Sequence, residues 1–369
     1  MIELHYEHIH DLALGAKFMG GGGGGDPYPG QLMAQEAIRA FGPVLVWAVD
    51  EVPPDALVVG VGMMGGTTVL AERLPSDGEA SQAVRGLESY LDRPVTALIS
   101  IEMAGINGVI PVIPAARLGL PLVDGDLMGR ALPGIHMTLA TVAGISATPM
   151  VIVDARGSQV ILDTPDNLTA EIMARSLVMD MGGAAQMAIY PMTRAQLCRV
   201  VLAGSMSHRM RIGRTLREAR DHHHDPIPAI QRVAGGMELF QGKVTSAQRQ
   251  WQVGYDYAFG DASVEGAGVY MGQEMILKFQ NEYLLAAVGR HLVTTVPDNI
   301  IVLEARTADP IPPEFLVSGM DLVVLGLPCA EGWRTQDGLA IVGPRAFGYD
   351  VDYRPLAVGS ENRQDSNPC

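Results

Sequence analysis

A chain of 369 residues, 48% hydrophobic and 18% charged, can bury a large core over two domains and is too apolar for a disordered polypeptide. The low share of charge points to a compact homo-oligomer. The formal net charge of −15 excludes nucleic acid as the natural partner, because phosphate binding needs clustered Lys and Arg.

The N-terminal residues Met1-Ile-Glu-Leu-His-Tyr-Glu-His8 carry acids and histidines where a signal peptide needs a basic and then an apolar run. No apolar run reaches the roughly 18 residues of a membrane helix. The cysteines, Cys198, Cys329 and Cys369, are odd in number and far apart, so the sequence frames neither a disulfide scaffold nor a zinc knuckle. A cytoplasmic location is the expectation.

The first apolar run, Leu12 to Phe18, reads as strand-like. Six consecutive glycines, Gly20 to Gly25, follow it, and an amphipathic helix, Gln31 to Phe41, comes after. So much backbone entropy must be offset by something only bare backbone can do. The N–H groups of Gly22, Gly23, Gly24 and Gly25, with Asp26 beside them, are candidates to bind a phosphate, a carboxylate or a developing oxyanion. Gly20, Gly22 and Gly25 fit a dinucleotide fingerprint, but a glycine homopolymer does so almost automatically and no Walker lysine follows.

From about residue 10 to 165, buried strand-like runs alternate with helical segments, which predicts βαβ units and a mostly parallel sheet. The runs are 44–49, 56–62, 95–101, 121–124 and 150–154. Helices are expected over 167–181, over 193–203 with Thr193 as N-cap, and over 207–220. The last carries Arg209, Arg211, Arg214, Arg217 and Arg220, read as a solvated basic face pairing with the acidic remainder. From Met237 onward strand-like runs recur, at 251–259, 275–279, 283–288, 299–303 and 322–326, broken by Gly, Asp and Pro. The fold class is therefore α/β over 1–236 with a β-rich domain, a sandwich or small barrel, over 237–369.

Glu102 follows one predicted strand, and Asp124 and Asp126 follow the next, so the three carboxylates are expected at one sheet edge. Two acids two residues apart face the same side if extended, which suits an acid–base pair or a divalent cation. Arg130 offers an anion clamp and His136 a group that titrates near neutral pH. Each also has a structural reading, the acids as helix caps and His136 as a core residue. His222-His-His-Asp225 has metal-ligand composition, but neighbouring histidines diverge on any regular element, so a solvated loop is the equal alternative. Cys198 reads as a small core residue.

Five segments in this order resemble the S-methyl thiohydantoin desulfurase-like family: 20–28, 101–107, 123–133, 279–282 and 343–353. The resemblance covers nearly the whole chain. It implies an α/β half and a β-rich half, and hydrolytic removal of sulfur from a thiohydantoin-type ring. Leu127 stands in Asp124-Gly-Asp-Leu-Met-Gly-Arg130 where the family pattern has glycine.

Together these readings predict a hydrolase for a small heterocycle. Asp124, Asp126, His136 and Glu102 would be catalytic, and the glycine loop, Asn107 and Arg130 would hold the ring. The cofactor is open, with zinc or manganese as the candidate cations. The alternatives are a non-catalytic partner subunit of a hydantoinase or oxoprolinase, and a nucleotide-binding enzyme using the glycine loop.

Overall fold

The structure is a computed structural model that describes residues 2–66, 69, 76, 78–251 and 258–356. The N-terminal half is built on one eight-stranded sheet. Its members are β1 (Ile2–Leu4), β2 (Val44–Trp47), β3 (Leu57–Gly65), β4 (Ala97–Ser100), β5 (Leu122–Val123), β7 (Met150–Val153), β8 (Gln159–Leu162) and β9 (Ala184–Thr193). They lie in the order β1-β2-β5-β4-β3-β9-β7-β8. The ladders β2–β5, β5–β4 and β4–β3 are parallel, as the alternating pattern predicts. The ladders β1–β2, β3–β9, β9–β7 and β7–β8 are antiparallel, so the sheet is mixed.

Successive residues along a strand point to opposite faces, and both faces of this sheet are covered. Val58, Ile99 and Val123 enter one core, while Leu57, Val59 and Leu98 enter the other. Each such side chain contributes about 1.5–3 kcal/mol through burial.

The helices are α1 (His8–Gly20), α2 (Tyr28–Phe41), α3 (Glu79–Leu91), α4 (Val112–Leu118), α5 (Leu139–Val142), α6 (Asn167–Asp180), α7 (Arg194–Val200), α8 (Ser205–Asp221), α9 (Pro226–Ala234) and α10 (Gln336–Val342). Local chemistry sets several starts. Asp166 accepts the Thr169 N–H at the head of α6. Thr193 and Gln196 form a reciprocal capping box at α7, which makes Thr193 the N-cap the sequence predicts.

The run Leu12 to Phe18, expected as a strand, lies inside α1. A short apolar run is ambiguous between the two states. Here tertiary packing decides: α1 lies against α8 so closely that a Cβ on Gly15 would stand 1.8 Å from the Arg209 carbonyl oxygen, and one on Gly213 1.7 Å from that of Asp11. Three arginines of α8 pair with acids, as expected of a basic face in an acidic protein: Arg214 meets Asp11 at 3.6 Å, Arg217 meets Asp11 at 2.7 Å and Arg220 meets Asp309 at 2.8 Å. Arg209 departs from that reading by being buried.

The C-terminal half is an antiparallel half-barrel with the order β15-β14-β13-β12-β11-β17-β16. The strands are β11 (Met237–Trp251), β12 (Ala258–Gly266), β13 (Glu274–Gln280), β14 (Glu282–Val288), β15 (His291–Thr295), β16 (Asn299–Glu304) and β17 (Asp321–Leu327). Within the predicted run 251–259, residues 252–257 lie outside the described residues. Phe18, Ile212 and Leu216 of α1 and α8 share a core with Ile301, Leu303 and Leu325 of the half-barrel, which joins the two halves. The ladder β6 (Gly125–Asp126) to β10 (Leu202–Ala203) sets Asp126 opposite Leu202. Among the described residues no helix is long and apolar enough to cross a membrane.

Candidate functional site

The glycine run sits between α1 and α2, at the seam of the two halves. Gly21 caps α1 in the left-handed region, with φ 61°. The Gly21 and Gly23 N–H groups are spent locally, on the carbonyls of Phe18 at 2.9 Å and Gly20 at 2.8 Å. A Cβ on Gly22 would lie 2.6 Å from the Ile311 carbonyl oxygen, and one on Gly23 2.6 Å from Glu282 Cγ. The run lets the backbone of one half pass within contact of the other. Of the loop glycines assigned to ligand binding, Gly24 lines the pocket described next, whereas Gly22, Gly23 and Gly25 do not. Asp26 is exposed, and its carboxylate accepts the Tyr28 N–H at 3.1 Å, holding the start of α2.

That pocket lies between the end of β3, the 101–107 segment, the 128–135 segment and the start of β14. Two buried acids face it, Glu102 and Glu282. Glu102 Oε1 accepts the Leu132 N–H at 2.9 Å, and Oε2 accepts an Asn107 side-chain N–H at 2.8 Å. Asn107 is itself fixed by the Met63 backbone, whose N–H it accepts at 2.7 Å and whose carbonyl it bonds at 3.3 Å. Burial pushes Glu102 up to about 7 against those two hydrogen bonds, and the nearby Asp126 carboxylate adds to the rise.

Glu282 reaches the pocket from the other half of the molecule. Its Oε1 accepts the Asn281 side-chain N–H at 2.6 Å, from a residue held at φ 63°. Its Oε2 is buried and has no partner among the described residues. Burial pushes Glu282 up to about 8, with Arg130 opposing the rise and Glu102 adding to it. Two neighbouring buried acids near neutral pKa in one pocket are the arrangement general acid–base chemistry needs.

The remaining predicted residues take other positions. Asp126, fully buried, accepts the Met103 N–H at 2.8 Å, the Gly129 N–H at 3.1 Å and the Ser205 hydroxyl at 2.9 Å. Asp124 accepts the Ser207 N–H at 3.1 Å and the Ser207 hydroxyl. Both carboxylates thus hold the first turn of α8, and Asp126 also holds the turn through Leu127 by its Gly129 contact. Neither lines the pocket.

Arg130 is buried and donates to the carbonyls of Ala131 at 3.0 Å, Pro297 at 3.1 Å, Asp298 at 2.7 Å and Tyr283 at 3.4 Å. It ties the halves together with its fork engaged by backbone. His136 packs behind Gly134, where a Cβ would lie 2.7 Å from the ring, and its Nδ1 is buried without a partner among the described residues. Desolvation holds its pKa below the ordinary value, so the imidazole is neutral at physiological pH.

Among the described residues no three His, Cys, Asp or Glu side chains converge as a metal set. Of the predicted acids, Asp124 and Asp126 are committed to α8 and Glu102 to the pocket wall. His222, His223 and His224 are exposed beyond the end of α8, and Asp225 caps α9 by accepting the Ile227 N–H at 3.0 Å. Cys198 is half-buried on α7 against the larger core.

The residue that sequence reasoning leaves out of the site is Glu282, although the segment 279–282 contributes to the family resemblance. The available signal is an acid next to Asn at the turn between two apolar strand runs.

Two family models together match most of the chain, and they divide it at 164/165, ahead of strand β9 of the first sheet. The N-terminal S-Me-THD-like domain model matches residues 7–164 and the C-terminal S-Me-THD-like domain model matches residues 165–356. The chain belongs to the S-Me-THD-like family. No curated protein matches it. The X-ray structure of a structural-genomics protein from Chromobacterium violaceum superposes on this S-Me-THD-like chain with a TM-score of 0.80 at 23% identity, covering 96% of this chain and 100% of that one. At that identity the likeness carries the fold alone.

Proposed function

We propose that this S-Me-THD-like protein is a hydrolase that removes sulfur from a thiohydantoin-type ring by acid–base exchange between Glu102 and Glu282. One observation carries the reading. Two buried carboxyls, pushed to about 7 and about 8, share a pocket, and an oxygen of the second has no partner there. The family supplies the ring chemistry, and the pocket supplies a base and an acid.

Glu102 as carboxylate takes a proton from water, whose oxygen bonds to the ring carbon carrying an S-methyl group. The C=N electrons pass to the ring nitrogen, which Glu282 protonates. When the tetrahedral centre collapses, the C–S bond breaks and the thiolate takes the proton held on Glu102. Glu282 recovers its proton from the new hydroxyl as the C=O forms. One water is consumed, methanethiol leaves, and both acids regain their starting states. Asn107 keeps Glu102 oriented, and Asn281 does the same for Glu282.

The glycine loop serves this site by allowing the halves to approach. A nucleotide phosphate placed at Gly23 would meet the Glu282 carboxyl, which weighs against a nucleotide enzyme. Thiol release from a 2-methylthio-hydantoin is the test. The wild type releases one thiol per oxo ring formed, and Glu102→Gln and Glu282→Gln each lower the rate about 10²–10⁴-fold. A wild type that releases no thiol, with or without added zinc or manganese, or glutamine variants at full rate, would overturn the proposal.

A further inference from the structure

Resting on that reading of the pocket, we infer that the 343–353 segment sets Glu282 in place across the seam, and that Gln280 is the positioning residue through which it acts. The segment contributes to the family resemblance, yet it lines no part of the pocket. Its hydrogen bonds show what it holds.

Gln280 closes β13 and Glu282 opens β14, and the two face each other across the ladder with Asn281 alone between them, at φ 63°. A turn through that left-handed conformation is costly for a residue with a side chain and persists where its surroundings hold it. Asn281 bonds the Glu282 carboxyl, but it moves with the same turn and cannot fix the turn's direction. The outside hold is the Gln280 side chain, whose Nε2 donates to the Phe347 carbonyl at 2.8 Å. Phe347 ends a short 3₁₀ turn, Pro344–Phe347, and with Tyr349 it packs against the larger core, which is built mainly from the N-terminal half. Farther along, Tyr353 donates its hydroxyl to buried Asp298 at 2.9 Å, and the Asp298 carbonyl accepts Arg130 at 2.7 Å. Gln280 therefore couples the Glu282 turn to the half of the molecule that carries Glu102. A misplacement of about 1 Å between reacting groups costs on the order of 10²-fold in rate, so this coupling bears on turnover.

Gln280→Met in the full-length protein removes the donor at nearly constant size. The charged groups that face Glu282 are Arg130, Glu102 and Glu314, and the substitution changes none of them. Thiol release from the 2-methylthio-hydantoin should fall about tenfold or more in kcat, with KM changed less than about twofold. Difference infrared spectroscopy gives a reading that needs no turnover. The protonated carboxyl band that Glu282→Gln removes should titrate at lower pH in Gln280→Met, because the loosened turn lets the acid reach water. Tyr353→Phe loosens the same segment away from the turn and should leave that midpoint in place. An unchanged midpoint in Gln280→Met would overturn the inference, as would an equal shift in Tyr353→Phe, which would reduce the effect to general packing. Should Gln280→Met not fold, Gln280→Asn, which keeps the amide on a shorter side chain, is read in the same way. A wild type that releases no thiol removes the proposed hydrolysis and leaves the infrared comparison to decide the role of Gln280, so the two claims fail separately.

Discussion

Two pairs of acids occupy this molecule, and their fates are opposite. Asp124 and Asp126 are two residues apart and look like a catalytic pair in the sequence, yet each is filled by donors from α8 and the 103–129 backbone. Glu102 and Glu282 lie 180 positions apart, on different halves, and meet at one pocket. What distinguishes the second pair is that both acids face the pocket and that Glu282 keeps one oxygen without a partner among the described residues. A buried carboxylate whose lone pairs face fixed N–H and O–H groups is a fastening. One that lacks a partner on one oxygen is left to exchange a proton or bind a ligand.

The contrast can be broken most sharply at Asp126. Replacing it with Ala leaves the Met103 and Gly129 N–H groups and the Ser205 hydroxyl unpaired, and removes the buried charge that faces Arg209. The expected loss is about 3–5 kcal/mol of stability, measured by urea unfolding. Glu282→Gln, by contrast, is expected to fold with at least wild-type stability while losing turnover. An Asp126→Ala protein that unfolds at the wild-type midpoint but has lost all thiol release would reverse the assignment of the two pairs.

The same division explains what the sequence reveals. The parallel heart of the first sheet is legible because 44–47, 57–65 and 97–100 are β-branched runs bounded by Gly, Pro and Asp, which report strand identity locally. Strand β9 escapes notice because Ala184-Ala-Gln-Met-Ala carries little β-propensity, and its position between β3 and β7 is what stabilises it. Glu102 and Asn107 are legible because they are five residues apart in one loop after a strand. Glu282 is not, because its significance depends on contacts across the two halves that no local window contains. Asp124 and Asp126 mislead for a related reason: their partners in α8 are some 80 residues away.

A second test uses pH. An unfolded Glu titrates near 4.5, whereas folded Glu282 holds its proton up to about 8 and Glu102 up to about 7. Below the unfolded value both states are protonated and nothing is lost. As pH rises through the interval the unfolded chain releases its protons first, so the wild type loses stability until both folded acids have ionised. Unfolding free energies at pH about 5 and about 8.5 should therefore fall more for wild type than for Glu282→Gln, the gap appearing only at the higher pH. A wild type whose stability rises between these values in parallel with the variant would show that Glu282 is ionised in the folded state and return it to the ordinary class of surface-like carboxylates.

The smallest effect, and the finest probe of the seam, comes from the glycine loop. Gly22 has φ 109°, and its Cβ would meet the Ile311 carbonyl, so Gly22→Ala strains backbone against backbone and should cost about 1–3 kcal/mol. Gly23 lies outside the positive-φ set, and its Cβ would instead press on the Glu282 side chain, at 2.6 Å from Cγ and 2.7 Å from Oε1. A side chain can shift where a backbone cannot. Gly23→Ala should therefore keep more of the stability than Gly22→Ala yet lose more turnover, because the shift breaks the Asn281 contact that orients the acid. If the two variants lose stability and turnover in the same proportion, the loop acts on the site only through the general integrity of the seam, and the specific link from Gly23 to Glu282 is wrong.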